Sequence, residues 1–111
     1  MTATAAVRVE HEGTTCFVRL TGEVDLAVAR EIDQLGAAMI ETTAASEVII
    51  DMADVTFLDS TGIGALIALR NAAGARGLPL RVEHAGDRVR RILAVTGLDG
   101  VFGVGGDDGR Y

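Results

Sequence analysis

The most chemically suggestive stretch of the sequence is Asp59-Ser60-Thr61-Gly62, in which two hydroxyl side chains lie between a carboxylate and a glycine. An apolar segment typical of a helix follows it, so Ser60 falls at the boundary between a loop and a helix. Unpaired amides at a helix N-terminus favour negative charge, and the fold would therefore tolerate a phosphate on Ser60. The alternative is that Ser60 only caps the helix, which is a common role for serine.

Two enzymatic interpretations of this stretch fail on spacing. An aspartic-protease loop needs a carboxylate, one hydroxyl residue and then glycine, whereas two residues separate Asp59 from Gly62. A hydrolase nucleophile elbow needs glycine two residues before the serine, and Leu58 occupies that position. The sequence therefore predicts that Ser60 is not a catalytic nucleophile.

The remaining reactive side chains give no support for catalysis either. His11 falls in a predicted turn and His84 follows a predicted strand, so we expect both at the surface rather than as bases. Cys16 stands alone in an apolar run, which predicts a buried and inert thiol. No Cys and His cluster has metal-ligand spacing, and Gly62 and Gly64 lack the third glycine and the lysine of a nucleotide site. We expect neither an enzyme, nor a metal site, nor a cofactor.

Four aspartates fall near the predicted carboxyl ends of strands, where sites gather in open α/β sheets. Such a rim could bind Mg²⁺ weakly, because carboxylate oxygens are ligands that this ion prefers. The alternative, which we favour, is that these side chains cap turns and helices. The four residues are Asp25, Asp51, Asp54 and Asp59.

The apolar pattern predicts a hairpin followed by strands that alternate with helices. Residues 7–10 and 16–20 alternate as the two strands of a hairpin, with a turn over 11–14. The apolar run 47–51 predicts a central strand covered on both sides, and 80–83 predicts a further strand. We expect an α/β fold with one mixed sheet of about four to five strands, its later strands parallel and its helices packed mainly on one face.

Three helices are expected. Asp25 caps the first, whose apolar residues recur at helical spacing at Val28, Ile32, Leu35 and Met39. The second begins at Ile63, is apolar on almost every side and ends near 74–77. The third covers 87–96 and is closed by Gly97.

Two loops and a final strand complete the prediction. Residues 22–25 break the second strand of the hairpin, and 54–60 form a second loop. Because both loops follow strand ends, we expect them to meet at one edge of the sheet. Residues 101–104 are predicted to form a last edge strand.

Length and charge restrict the possible functions. The chain has 111 residues, 49% of them hydrophobic, which fits one domain over 7–104 between a flexible N-terminus at 1–6 and a flexible acidic tail at 105–111. The formal net charge of −6 disfavours binding to nucleic acid or to an anionic membrane. No apolar stretch approaches the roughly 20 residues of a membrane span, so we expect a cytoplasmic protein.

Four segments together resemble, in order and spacing, the bacterial STAS-domain anti-sigma factor antagonists. They are TGEVDL at 21–26, VIIDM at 48–52, VTFLDSTGIG at 55–64 and RILAVTGL at 91–98. The match runs from about residue 7 to residue 102, and 59–64 is its most specific part. The fold of that family is a small mixed sheet with helices mainly on one side, in agreement with the pattern above.

The resemblance implies a partner switch. In this family the unphosphorylated protein binds an anti-sigma factor that is also an ATP-dependent serine kinase, and the sigma factor is released. The kinase phosphorylates the serine that aligns with Ser60, here with Thr61 as a lesser candidate, and a PP2C-type phosphatase reverses the step. ATP and Mg²⁺ belong to the kinase. The expected partner-binding residues are Gly22, Glu23, Asp25, Asp59, Ser60, Thr61, Gly62 and Ile63.

A second hypothesis from another class is a constitutive STAS scaffold within a larger signalling or transport assembly, for which Ser60 is merely a cap. A switch protein should be a monomer or weak dimer and should bind one kinase in a phosphate-dependent way. Members of this family commonly continue into a C-terminal helix, whereas this chain turns to Gly105-Gly106-Asp107-Asp108. Contacts made through that helix are therefore not expected here.

Overall fold

The computed structural model describes residues 2–3 and 6–103. Its elements are β1 (Thr2–Ala3), β2 (Val7–Glu12), β3 (Thr15–Val24), α1 (Leu26–Glu31), a π-helical stretch (Ile32–Gly36), α2 (Ala37–Thr42), β4 (Glu47–Leu58), α3 (Ser60–Ala75), β5 (Leu80–Glu83) and α4 (Asp87–Val95). The strands form one sheet in the order β1-β2-β3-β4-β5. Strands β1 to β3 pair antiparallel, whereas β3, β4 and β5 are parallel, so the predicted mixed α/β sheet is confirmed.

The helices lie on one face of the sheet, as predicted. Alternate side chains of β2, β3 and β4 point into a single core, among them Val9, Val18 and Ile50. Helical residues join that core, including Leu66 of α3 and Leu93 of α4. The burial of this alternating set is the main stabilising contribution to the fold.

The opposite face of the sheet is a layer of paired charges. Arg19 bonds to Glu10, Glu12 and Asp51 across three strands, and its guanidinium lies 4.6 Å from the centre of the Phe17 ring. Ile49 is buried on this face, between its register partners Phe17 and Arg81. Strand β4 is thus interior to the sheet, and Ile49 is buried on its second face, which charged side chains rather than a second helical layer flank.

Strands β3 and β4 are longer than the sequence pattern predicts. Strand β3 continues to Val24 and β4 continues to Leu58, so the predicted loops at 22–25 and 54–60 are wrong for most of their length. Register shifts mark this extension, and Gly22 lies within it at φ +83°, in the left-handed region that favours glycine. The parallel pairing of β3 with β4 supplies backbone hydrogen bonds that the local sequence does not reveal.

The hairpin turn is also shorter than predicted. His11 and Glu12 pair with Cys16 and Thr15, so only residues 13 and 14 make the turn, with Gly13 at φ +60°. The first predicted helix is confirmed in extent, with a π-helical stretch between its two α-helical parts.

The chain after α4 forms a turn over 101–103, so the predicted last edge strand is wrong for these residues. Phe102 is fully buried, and its carbonyl accepts from the Val82 N–H at 2.9 Å. Burial of this ring holds the segment beside β5 without a strand. Val104 and the acidic tail at 105–111 lie outside the described residues.

Residues 1–6, predicted to be flexible, contribute the two-residue strand β1, which pairs with β2. Positions 1, 4 and 5 lie outside the described residues. Of the helices that the structure describes, none has the length and apolar character to cross a membrane.

Candidate functional site

The carboxyl ends of β3 and β4 bring together the two segments that carry the motif residues. Val24 pairs with Leu58 at the end of the parallel ladder, and the Asp59 N–H donates to the Val24 carbonyl at 3.3 Å. Helix α1 starts directly after β3, and α3 starts directly after β4. The expectation that residues 22–25 and 54–60 meet at one edge of the sheet is therefore confirmed, although both segments are largely strand.

Gly62 allows the start of α3 to lie close to the end of β3. A Cβ atom at this position would lie 2.4 Å from the Val24 carbonyl oxygen and 2.9 Å from Val24 Cγ1. Real Cβ atoms do not approach a backbone oxygen so closely, so any side chain here would force the start of α3 away from β3. The glycine is buried and thus acts by permitting close packing.

Asp59, and not Ser60, caps α3. Its Oδ1 accepts from the Gly62 N–H at 2.9 Å and from the Thr61 hydroxyl. The Thr61 hydroxyl, and after it the backbone N–H groups of Gly62 and Thr61, hold the pKa of Asp59 below its usual value. The interpretation of Ser60 as the N-cap is therefore wrong, because the residue before it supplies the accepting oxygen.

Ser60 is the first residue of α3 and is exposed. Among the described residues, no side chain or backbone group forms a hydrogen bond with its hydroxyl. Two of the amides expected to receive a phosphate on Ser60 are already engaged, since Gly62 donates to the Asp59 carboxylate and Ile63 donates to the Asp59 carbonyl. The site therefore presents one free hydroxyl beside an ionised carboxylate.

The segment from Gly22 to Asp25 forms the other side of the site. Asp25 caps α1 as predicted, because its Oδ1 accepts from the Val28 N–H at 3.2 Å. Glu23 and Asp25 are exposed, while Gly22 is half-buried. We use the name Ser60 surface for residues 22–25 and 59–63, which carry three carboxylates and no basic side chain.

Two exposed apolar residues next to this surface were missed at the level of sequence. Leu26 is 50% exposed at the start of α1, and Phe57 is 41% exposed near the end of β4. Phe57 is the register partner of Glu23, which places the ring beside the Ser60 surface. The sequence pattern gave no signal, because an apolar residue before a predicted helix is ordinarily assigned to the core.

The four candidate magnesium ligands do not act together. Asp25 and Asp59 cap helices, whereas Asp51 bonds to Arg19 and to His84 Nδ1 on the charged face of the sheet. Burial alone would raise the pKa of Asp51, but bonds from the Ala53 N–H, His84 and Arg19 lower it overall. Within 2–3 and 6–103, no three His, Cys, Asp or Glu side chains lie close enough to hold a metal ion.

The histidines and the cysteine are engaged away from Ser60. His11 Nε2 lies 2.6 Å from the Thr43 hydroxyl, and His84 bonds to Asp51, so neither imidazole bonds to Ser60. Cys16 is fully buried, as predicted, and burial raises the pKa of its thiol. These contacts leave Ser60 without a histidine base among the described residues.

Comparisons with known proteins agree with this architecture. A STAS-domain containing protein of Pseudomonas aeruginosa is 32% identical over 54 residues, which are 49% of this chain and 54% of that protein, so the chain spans about half the length of this relative. The anti-sigma-B factor antagonist of Staphylococcus aureus is 25% identical over 81 residues, covering 73% of this chain and 74% of the relative.

A solved structure shows the same fold. The anti-sigma factor antagonist SpoIIAA in its unphosphorylated form superposes with a TM-score of 0.76 at 23% identity, covering 87% of this chain and 84% of that chain. The profile of the family described as "Mlab, STAS domain" matches residues 7–104, which is most of the sequence. The chain therefore belongs to the STAS domain family, and its relatives include anti-sigma factor antagonists.

Proposed function

We propose that this protein is an anti-sigma factor antagonist controlled by phosphorylation of Ser60. Its unphosphorylated form binds an anti-sigma factor that is also a serine kinase, and this binding frees the sigma factor. The observation that carries the proposal is the exposed hydroxyl of Ser60, unbonded among the described residues and located where β3 and β4 end side by side. The S. aureus relative is named an antagonist, and SpoIIAA has been solved in unphosphorylated and phosphorylated forms.

The partner docks on the Ser60 surface. Glu23, Asp25, Ser60 and Thr61 are exposed there, and Asp59 and Ile63 are half-buried. Gly22 and Gly62 contribute through the backbone, since the first adopts a positive φ and the second permits close packing. Leu26 and Phe57 add exposed apolar area at the border, and its burial by a docked partner would favour binding.

Phosphorylation acts by changing the charge of this surface. A phosphate adds about −1.5 to −2 charges next to Asp59, in a region that already carries three carboxylates. In the free protein the phosphate remains in water, because Ser60 is exposed. In the complex it would lose that solvation and would repel acidic groups, so binding weakens. A hundredfold loss of affinity corresponds to about 2.7 kcal/mol.

The other components of the switch belong to its partners. The kinase supplies ATP and its Mg²⁺, and a PP2C-type phosphatase restores the binding form in the cytoplasm. This chain acts as a substrate and a binding protein and contributes no catalytic residue. No contact with nucleic acid or membrane is required, and the free protein is a monomer or weak dimer.

Two variants of Ser60 test the proposal. Ser60→Ala should bind the partner kinase and accept no phosphate, whereas Ser60→Asp should bind at least tenfold more weakly. Affinity is measured with candidate serine kinases from the same genome, with and without ATP, and the modified residue is mapped by mass spectrometry. Ser46→Asp is the matched control, since it adds the same charge at an exposed serine before the other end of β4.

Three outcomes would contradict the proposal. They are phosphate found solely on Thr61, an affinity of Ser60→Asp equal to that of the wild type, and an equal loss caused by Ser46→Asp. The constitutive scaffold hypothesis predicts the second of these, together with a large assembly in size measurements whose composition does not depend on ATP.

A further inference from the structure

Thr61 and Ser60 are neighbouring exposed hydroxyls with different surroundings. The Thr61 hydroxyl donates to Asp59 Oδ1, whereas the Ser60 hydroxyl bonds to no group among the described residues. Both lie in the first turn of α3 and are within reach of the same docked enzyme. Exposure alone therefore does not explain why a kinase would phosphorylate Ser60 and not Thr61.

The capping geometry of Asp59 distinguishes the Thr61 hydroxyl from the Ser60 hydroxyl. The same Oδ1 accepts from the Gly62 N–H at 2.9 Å, which fixes the carboxylate against the helix and thereby fixes the hydroxyl that bonds to it. An ionised carboxylate can only accept, so the single proton of the Thr61 hydroxyl is directed at Asp59. Before Thr61 could give this proton to the base of a kinase, it would have to break the bond to Asp59.

We propose that Asp59 is a positioning residue that restricts phosphorylation to Ser60 by holding the Thr61 hydroxyl. This inference rests on the proposed function, since it concerns the selectivity of that same reaction. In the transfer step the hydroxyl oxygen forms a bond to the γ-phosphorus of ATP, and the bond from that phosphorus to the oxygen bridging to the β-phosphate breaks. The hydroxyl proton passes to a base of the kinase, and ADP leaves.

The size of the selectivity follows from the strength of the bond. A hydrogen bond to a charged acceptor corresponds to a factor of about 10 to 100 in the population of the free hydroxyl. We therefore expect phosphorylation of Thr61 to rise by about tenfold or more once Asp59 is removed.

The test compares single and double variants. Each is incubated with ATP and the serine kinase that phosphorylates the wild-type protein, and the phosphate is mapped and quantified by mass spectrometry. Wild type should carry phosphate on Ser60 alone. Because Asp59 also belongs to the Ser60 surface, Asp59→Asn is judged only by where its phosphate lies, which should again be Ser60, since asparagine keeps an accepting oxygen. Ser60→Ala should carry none. Asp59→Gly with Ser60→Ala should carry phosphate on Thr61.

Glycine is chosen because it replaces a capping residue at a cost of only a few tenths of a kcal/mol, and circular dichroism verifies that the variant is folded. If wild type carries phosphate on Ser60 but the folded double variant carries none, the inference fails and the proposed function stands. If Asp59→Asn also gains phosphate on Thr61, the hydroxyl bond is not the cause. If wild type carries no phosphate on Ser60, the proposed function fails and this inference fails with it.

Discussion

Replacing Gly62 by alanine should destabilise the protein, although the same change is usually favourable within a helix. Alanine is the better helix former by about 1 kcal/mol. At Gly62, however, the added Cβ would lie 2.4 Å from the Val24 carbonyl oxygen, which belongs to backbone and cannot rotate away. The start of α3 must therefore move relative to the end of β3.

The magnitude follows from these opposing effects. Overpacking in a tight site costs about 1 to 3 kcal/mol, and a contact with backbone belongs at the upper end of that range. After the gain in helix propensity, we expect the free energy of unfolding of Gly62→Ala to fall by about 2 kcal/mol. For a domain of this size that corresponds to a fall of roughly 10 °C in Tm.

Gly64 provides a matched control two residues further along α3. It is exposed, and a Cβ there would meet no atom within 4 Å, so Gly64→Ala should raise the free energy of unfolding by about 1 kcal/mol. Urea unfolding followed by circular dichroism measures both variants under the same conditions. Opposite signs for the two substitutions are expected. A Gly62→Ala protein as stable as the wild type would refute the close approach of α3 to β3.

Two further predictions concern titratable groups. Because burial raises the pKa of the Cys16 thiol, an alkylating reagent should label it only as urea unfolds the chain, and rapid labelling in native buffer would contradict its burial. Because hydrogen bonds keep the pKa of Asp59 and the pKa of Asp51 below their ordinary values, their stabilising contribution is present at neutral pH and is lost as acid protonates them below about pH 4. The urea midpoint should therefore change less between pH 7 and pH 3 for Asp59→Asn than for the wild type. An equal change in both proteins would show that ionised Asp59 does not contribute to stability.

The parts of the fold that the sequence predicts are those governed by local pattern. Alternation over residues 7–10 and 16–20 predicts the hairpin, and the helical spacing after Asp25 predicts α1 and its continuation. The Asp25 cap is predictable because its carboxylate bonds three residues along the same chain. Each of these features depends on neighbours in the sequence.

The features that the sequence does not predict depend on partners distant in the chain. Gly22 and Asp54 are typical of turns, yet both lie within strands, because β3 and β4 pair with each other there. Phe102 lies in a turn rather than in a strand. Burial of its ring and its hydrogen bond with Val82 hold it beside β5 in place of the backbone hydrogen bonds of a strand. No local propensity encodes these contacts.

The start of α3, at the candidate site, is another feature that local sequence preference does not determine. Asp59 and Ser60 are both good capping residues, so local preference alone does not select between them. In the structure Asp59 is the cap, since its Oδ1 accepts from the Gly62 N–H, and the close approach of Gly62 to Val24 packs this first turn of α3 against β3. The residues of the site could be named from the sequence, but their separate roles could not.

The position of Asp59 also determines what a phosphate on Ser60 can do. Had the first amides of α3 been unpaired, they would have received the phosphate and partly neutralised it. Because the Gly62 and Ile63 amides donate to Asp59 instead, a phosphate added to Ser60 would gain mainly the weaker attraction of the helix dipole and would lie beside a carboxylate. In water this repulsion is screened, so the free protein keeps its fold. Under the proposed function, a docked partner would remove the water and the repulsion would then oppose binding, so phosphorylation of Ser60 would control the interface rather than the fold.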